Sequence, residues 1–416
     1  MMGDNANILT NPHSHSSNHK PSPVRKKFWT PGVIVMVVLM IAGAAAVLVR
    51  FTFGIGSVSH LSTARPWGLW VGVDVATGVA LAAGGFTTAA VAHILGRHHY
   101  EPVTRPALLT AMLGYTFVVL GLLIDIGRSW AIWKPIFNWN TNSALFEVAM
   151  CVAIYLHVLY IEFIPIVAEQ YKDNVNLPAP LSFLNPVIKS LLQLADKILD
   201  KVMWVFVIAG VVLSCMHQSS LGTLMLVAPT KIHPLWYTPI LPLLFLTSAF
   251  AVGYPMVVFE TTLVTSSLKL DDEMEVLTPL IKITVFLLGI YMFLKLGDMV
   301  VRQTWRYLFD GTFQTNSFLV EMIIGVIAPW FMLLSKKIRS SRRGIFIAAC
   351  MIVGGVVLNR VNVFIVAYTP PVSGGTYFPA IGEILVTTGL IAALMFIYRF
   401  VVTYLPVLSL PKEVSS

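Results

Sequence analysis

Two acids and a base stand at the edge of one long apolar run. Asp125 and Arg128 occur in Asp125-Ile126-Gly127-Arg128, and Glu147 follows behind Thr141-Asn142-Ser143. A charged side chain at mid-bilayer costs roughly 2.5–3.5 kcal/mol, so each needs a partner or a task. Asp125 and Arg128, spaced i, i+3, would share a helical face and pair. The pattern returns in the second half, with Asp298 and Arg302 at i, i+4, then Thr315-Asn316-Ser317 and Glu321. The Arg-to-Glu spacing is identical, which suggests an internal duplication. Glu147 and Glu321 would sit in the first turns of their helices behind Thr-Asn-Ser caps, where the dipole favours carboxylates.

Further polar residues interrupt other apolar runs. Asp74 lies in Trp70-Val71-Gly72-Val73-Asp74, roughly 10 Å below a surface at 1.5 Å per residue. His217, in Met216-His217-Gln218-Ser219-Ser220, can exchange protons near neutral pH, and its ring can hydrogen-bond a quinone carbonyl. Arg360, after Asn359, stands at comparable depth and would neutralise the acids. Deeper, His157, Glu162 and Glu260 either form a proton relay or meet the far interface.

The elements that must position these residues are membrane helices. Hydrophobic residues make up 56% of the chain and charged residues 12%, about half the charged share of a soluble domain. Mean hydropathy is +0.78. Apolar runs of about 20 residues are long enough to cross a bilayer as helices. The fold class is therefore an all-α integral membrane protein. Ten helices are expected, near 31–53, 67–95, 105–127, 143–168, 202–225, 239–266, 276–300, 317–335, 344–368 and 381–405. The duplication groups helices two to five (67–225) and six to nine (239–368) as parallel four-helix repeats, with one flanking helix at each end. Residues 1–30 read as a disordered tail and 406–416 as a short second tail.

Ten spans place both termini on one side, and Lys20 to Lys27, Arg97, Arg105, Lys189, Lys197, Lys201 and Lys336 to Arg343 fall there. The positive-inside rule makes that side cytoplasmic. The loop with Asp271, Asp272 and Glu273 also lies there, and acids weigh little in the rule. The net charge of +8 then reads as topology, with no nucleic-acid partner. Trp67, Trp130, Trp133, Trp139, Trp236 and Trp305 crowd the opposite face, as an interfacial belt or a docking surface.

Cys151, Cys215 and Cys350 are scattered, which excludes a cysteine-bound iron–sulfur cluster or structural zinc in this chain. No metal site is expected. Haem is disfavoured: no helix carries two central histidines, and His157 and His217 differ in depth by roughly 9 Å. The competing class is a secondary transporter, which would place a substrate site at the midplane.

Several strings carry a family resemblance. Arg65-Pro66-Trp67-Gly68, Asp125-Ile126-Gly127-Arg128, Met216-His217-Gln218-Ser219-Ser220, His233-Pro234-Leu235-Trp236 and Tyr377-Phe378-Pro379 are among them. They resemble the NrfD/polysulfide-reductase membrane-subunit family, and within it the HybB-type subunits of uptake NiFe hydrogenases. The likeness runs from about residue 50 to 405. It implies a haem-free subunit of a respiratory oxidoreductase in the bacterial inner membrane. Such a subunit exchanges electrons between menaquinone and a periplasmic, ferredoxin-like iron–sulfur partner. The resemblance also implies a further catalytic or multihaem cytochrome subunit, and leaves proton translocation open. The expected quinone site comprises Asp74, Asp125, Arg128, Glu147, His217, Arg360 and Tyr377, with His217, Asp125 and Asp74 closest to the chemistry. The expected proton path comprises His157, Glu162 and Glu260.

Overall fold

In the computed structural model, residues 19–24, 26–94, 96–97, 100–172, 175, 179–270, 274–370 and 377–411 are described. Ten helices among them are long and apolar enough to cross a membrane. They are α1 (Pro31–Phe53), α2 (Trp70–Ala92), α3 (Pro102–Asp125), α4 (Ala144–Tyr171) and α5 (Lys201–Leu226), then α6 (Leu241–Leu268), α7 (Met274–Val301), α8 (Phe313–Leu334), α9 (Arg342–Val366) and α10 (Ile381–Tyr404). Each overlaps one span expected from hydropathy. The helix containing α5 starts earlier, at Asn185, and projects well past the apolar segment.

Local signals set several helix ends. Pro31 opens α1 and Gly54, at φ +89°, ends it. Ser143, Thr312 and Ser341 cap α4, α8 and α9 by accepting backbone N–H bonds. The Thr-Asn-Ser repeat therefore does not act alike in both halves. Ser143 caps α4, whereas α8 begins at Phe313 and takes Thr315, Asn316 and Ser317 into its body. Glu321 consequently lies deeper in its helix than Glu147.

Helices α2 and α6 are central, with 78% and 67% of their apolar windows buried, while α1 and α10 lie at the periphery with 17% and 22%. α1 packs along α10. A Cβ on Gly43 would stand 2.8 Å from the Cα of Gly389, so the two backbones touch. Gly43→Leu should therefore destabilise the protein by about 1–3 kcal/mol through overpacking, seen as a lower melting temperature in detergent. An unchanged melt would mean that α1 is not held by this crossing.

Residues 19–22 and 408–411 meet at one face. Strand β1 (His19–Ser22) pairs antiparallel with β2 (Leu408–Pro411), with His19 opposite Pro411. Val24 is buried beside them and Lys26 donates to the Leu268 carbonyl at the end of α6. Residues 19–22 of the N-terminal segment read as a disordered tail are thus paired here, each strand supplying the edge the other needs. Residues 1–18, Asp271, Asp272, Glu273 and 412–416 lie outside the described residues. The opposite, distal face carries the α1–α2, α3–α4 and α9–α10 connections.

Candidate functional site

The first turns of α2 form a π-helix over Trp70–Thr77, in which Thr77 Oγ1 donates to the Gly72 carbonyl five residues back. Such widened turns interrupt regular helical bonding and often mark functional positions. Asp74 sits within it. Its carboxylate accepts a 2.7 Å hydrogen bond from Thr387 of α10. A Cβ on Gly121 of α3 would lie 3.0 Å from the Asp74 Cβ, so glycine lets the acid approach α3 closely. Asp125 ends α3 one turn further toward the distal face, and its Oδ1 is buried without a hydrogen-bond partner.

Asp125 and Arg128 do not pair. The helix stops at Asp125, Ile126 turns extended at ψ 124°, and Arg128 is carried off the shared face into exposure. The buried Arg50 of α1 occupies this end instead. It donates from Nε to the Ile124 carbonyl (2.7 Å) and from Nη2 to the Ile126 carbonyl (2.5 Å) and Ser129 Oγ (3.2 Å). A cation on the last carbonyls of a helix opposes the negative end of its dipole. In α7 the helix continues past Asp298, and the expected Arg302–Asp298 pair forms at 3.6 Å. Thr238 also donates to Asp298.

Glu383, in the first turn of α10, is fully buried. Its Oε1 accepts from the backbone N–H of His60 (2.9 Å) and of Ala380 (3.3 Å), and its Oε2 accepts from the Tyr377 hydroxyl. Tyr377 in turn accepts from the Leu69 N–H at 2.8 Å. Burial, together with the bond to Glu383, holds the Tyr377 phenol well above its ordinary pKa. Asp125 interacts electrostatically with Glu383 and Arg50. Asp74, Asp125 and Tyr377 are thereby gathered around α10, as neighbours of Glu383 and Arg50.

His217 lies in a separate hydrogen-bonded group. It is buried, with Nδ1 3.2 Å from the Tyr115 hydroxyl, and Tyr115 packs edge-on to Tyr155. Gln218 donates to the Val79 carbonyl (2.7 Å), fastening α5 to α2. Ser220 donates to Glu147 at 2.5 Å, and Glu147 itself is exposed.

Arg360 belongs to a third group, in the second half, and does not neutralise the acids around α10. It donates to Asn359 Oδ1 (2.6 Å) and Ser248 Oγ (2.9 Å) and lies 3.8 Å over the Phe245 ring. Glu321, 1% exposed, accepts from Trp236 (2.8 Å), Asn359 (2.7 Å) and Asn362 (2.8 Å). The buried Lys295 sits 5.4 Å over Phe318 and interacts electrostatically with Glu321.

The three inner candidates are not brought together. His157 is exposed and turns Nδ1 to its own helix, at the Ala153 carbonyl (2.7 Å). Glu162 faces Gly210 of α5. Of the three, Glu260 lines a cavity of about 490 Å³, which runs between α1, α2, α3, α6 and α10 from Asp74 and Thr77 to Tyr398 and Arg399. Its wall is mostly aliphatic and aromatic, with Phe117 and Phe259 among the lining residues.

Reading by sequence missed Glu383, Arg50, Thr387 and Lys295. Arg50 and Lys295 carried a signal, as lone cations inside runs long enough to span a bilayer. Glu383 resembles an ordinary carboxylate in a helix's first turn.

The family profile described as polysulphide reductase, NrfD, matches residues 57–371. A probable Ni/Fe-hydrogenase 2 b-type cytochrome subunit of Escherichia coli is 33% identical over 95% of this chain and 97% of its own length. One of the subunits of the selenate reductase of Mesobacillus selenatarsenatis is 22% identical over 91% and 95%. The integral membrane subunit of a menaquinone reductase of Nitratidesulfovibrio vulgaris is 30% identical over 41% of this chain and 37% of its own. By their names these relatives are subunits of oxidoreductases, one of them an integral membrane subunit. The profile spans most of the ten-helix core: the chain, a multi-pass membrane protein by its helices, belongs to the NrfD (polysulphide reductase) family.

Proposed function

We propose that this chain is the quinone-reactive membrane subunit of a respiratory oxidoreductase, exchanging electrons between menaquinone and an iron–sulfur partner docked on the distal face. One observation carries the reading. An apolar cavity of about 490 Å³ has a half-buried carboxylate, Asp74, at the end nearer the distal face, with Asp125 and the hydrogen-bonded Glu383 on the same side. An isoprenoid quinone needs an apolar slot for its tail and a proton-exchanging group at its ring oxygens. Asp74 and Asp125 supply that group, and Tyr377 orders the distal side through Glu383. His217, Glu147, Arg360 and Arg128 support the surrounding helices and loop. Glu260 stands at the other end of the cavity as the remaining candidate for a proton path, with Glu162 and His157 outside it.

Electrons need a one-electron carrier, and the scattered cysteines of this chain offer no cluster ligands. The distal loops expose Trp130 and Phe137 at 74%, Trp139 at 70% and Phe309 at 80%, a surface suited to a partner protein. A catalytic or multihaem cytochrome subunit would complete the complex. The positive-inside charge pattern supports a cytoplasmic side for the termini and a periplasmic distal face.

The relative from E. coli is described as a b-type cytochrome subunit, and haem iron is held by axial side chains such as histidine. His217 and His157 do not fit facing ligands. His217 packs on Tyr115, His157 turns to its own backbone on an exposed face, and neither is among the described lining residues of the cavity.

The test is purification of the chain in mild detergent, with an optical spectrum, mass spectrometry and quinone extraction. Co-purifying iron–sulfur protein and menaquinone is the expected result. A lone polypeptide without bound quinone would overturn the reading.

A further inference from the structure

One buried acid has no task in the quinone chemistry so far. Glu383 is buried beside the α1–α2 connection, the end of α3 and the segment before α10, and the groups near it are His60, Tyr377, Asp125 and, beyond Asp125, Arg50. It lies four residues before Thr387 on α10, so the two share a helical face about 6 Å apart along the axis. Thr387 is the residue that holds Asp74 at the cavity. On the other side, Glu383 is bonded to the half-buried Tyr377 and to the backbone of the exposed His60. Glu383 therefore stands between the cavity acid and the distal surface.

A structural role alone accounts for part of this. The carboxylate satisfies two backbone N–H groups and caps α10, which an asparagine or serine does at many helix starts. A cap needs neither full burial nor a phenol on its second oxygen. The unpartnered Oδ1 of Asp125 is a further acceptor on the same side.

We infer that Glu383 is the proton-exchange residue linking the quinone cavity to the distal aqueous face, with Tyr377 as its outer relay. The inference rests on the quinone reading. On quinol oxidation two O–H bonds break, two electrons leave to the iron–sulfur partner, and protons pass from Asp74 past Thr387 and Asp125 to Glu383. From there Tyr377, by giving its hydroxyl proton outward and taking one from Glu383, delivers the proton to water. Quinone reduction runs the same way in reverse: two electrons arrive, two protons enter, and two O–H bonds form.

The test uses the purified complex with a short-chain menaquinone and, for the reducing direction, reduced benzyl viologen. Glu383→Gln keeps an acceptor for the His60 and Ala380 N–H groups while removing the exchangeable proton. It should lower kcat about 10–100-fold with KM for quinone unchanged. Glu383→Asp should recover part of the rate, and added formate, a small diffusible acid, should speed the Gln variant. Tyr377→Phe, which keeps the ring, should slow turnover in the same way if the Gln variant fails to assemble. Turnover within about twofold of the unaltered complex, or a loss that neither Asp nor formate relieves, would overturn the inference and leave Glu383 a cap. An unaltered complex that turns over no quinone would remove the underlying reading instead.

Discussion

Asp74→Asn lowers quinone turnover about 10²–10³-fold while the protein stays folded. Asparagine keeps the shape of the side chain and an oxygen to accept from Thr387 Oγ1, now 2.7 Å from the carboxylate. It cannot take or give a proton at the quinone ring. A positioned acid–base group contributes typically about 10²–10⁴-fold, and Asp125 nearby would restore part of the loss. Asparagine has the same heavy-atom skeleton as aspartate, so the isosteric change leaves the close approach to Gly121 of α3 undisturbed. Steady-state turnover of the purified complex, beside a thermal melt, decides the matter. A rate within about threefold of the unaltered protein would show that the cavity's distal end is not where quinone reacts.

The second large effect is on stability. Glu321→Ala should cost about 3–5 kcal/mol, because it strips the acceptor from three buried donors at once. Trp236 Nε1, Asn359 Nδ2 and Asn362 Nδ2 all point at this carboxylate. Lys295 and Arg360 would also be left as buried cations without the buried carboxylate that offsets their charge. Glu147→Ala, at the matching position of the sequence repeat, should cost about 1 kcal/mol or less, since that residue is exposed and loses one bond, to Ser220. Thermal unfolding of the two variants in the same detergent compares them directly. Equal shifts would mean that the Glu321 network contributes no more than the surface bond does.

These two acids show what sequence spacing can and cannot say. The Arg-to-Glu interval is the same in both halves, yet Ser143 caps α4 whereas the cap of α8 comes earlier in the repeat, at Thr312. A shift of about one and a half turns at the helix start accompanies the change from an exposed carboxylate to a buried one. Asp125 and Arg128 make the same point in reverse. Their i, i+3 spacing predicts a pair only if the helix continues, and α3 ends between them. Asp298 and Arg302 keep their pair because α7 does continue.

The sequence by itself determined the ten membrane spans, because hydropathy over about 20 residues is a local property and lipid admits few alternatives. It also singled out Asp74, Asp125, His217 and Arg360, since an ionisable group in an apolar run stands out against its own neighbours. Which of them act together was decided only by the tertiary structure. Arg50 reaches Ile124 and Ile126, Thr387 reaches Asp74, and Tyr377 reaches Glu383, while His217 and Arg360 turn to different partners. The first two contacts join residues far apart in the chain, and even the short-range Tyr377–Glu383 bond depends on how the segment before α10 folds back. Packing of whole helices, set by small-residue crossings such as Gly43 on Gly389, fixes these contacts, and no local pattern encodes it.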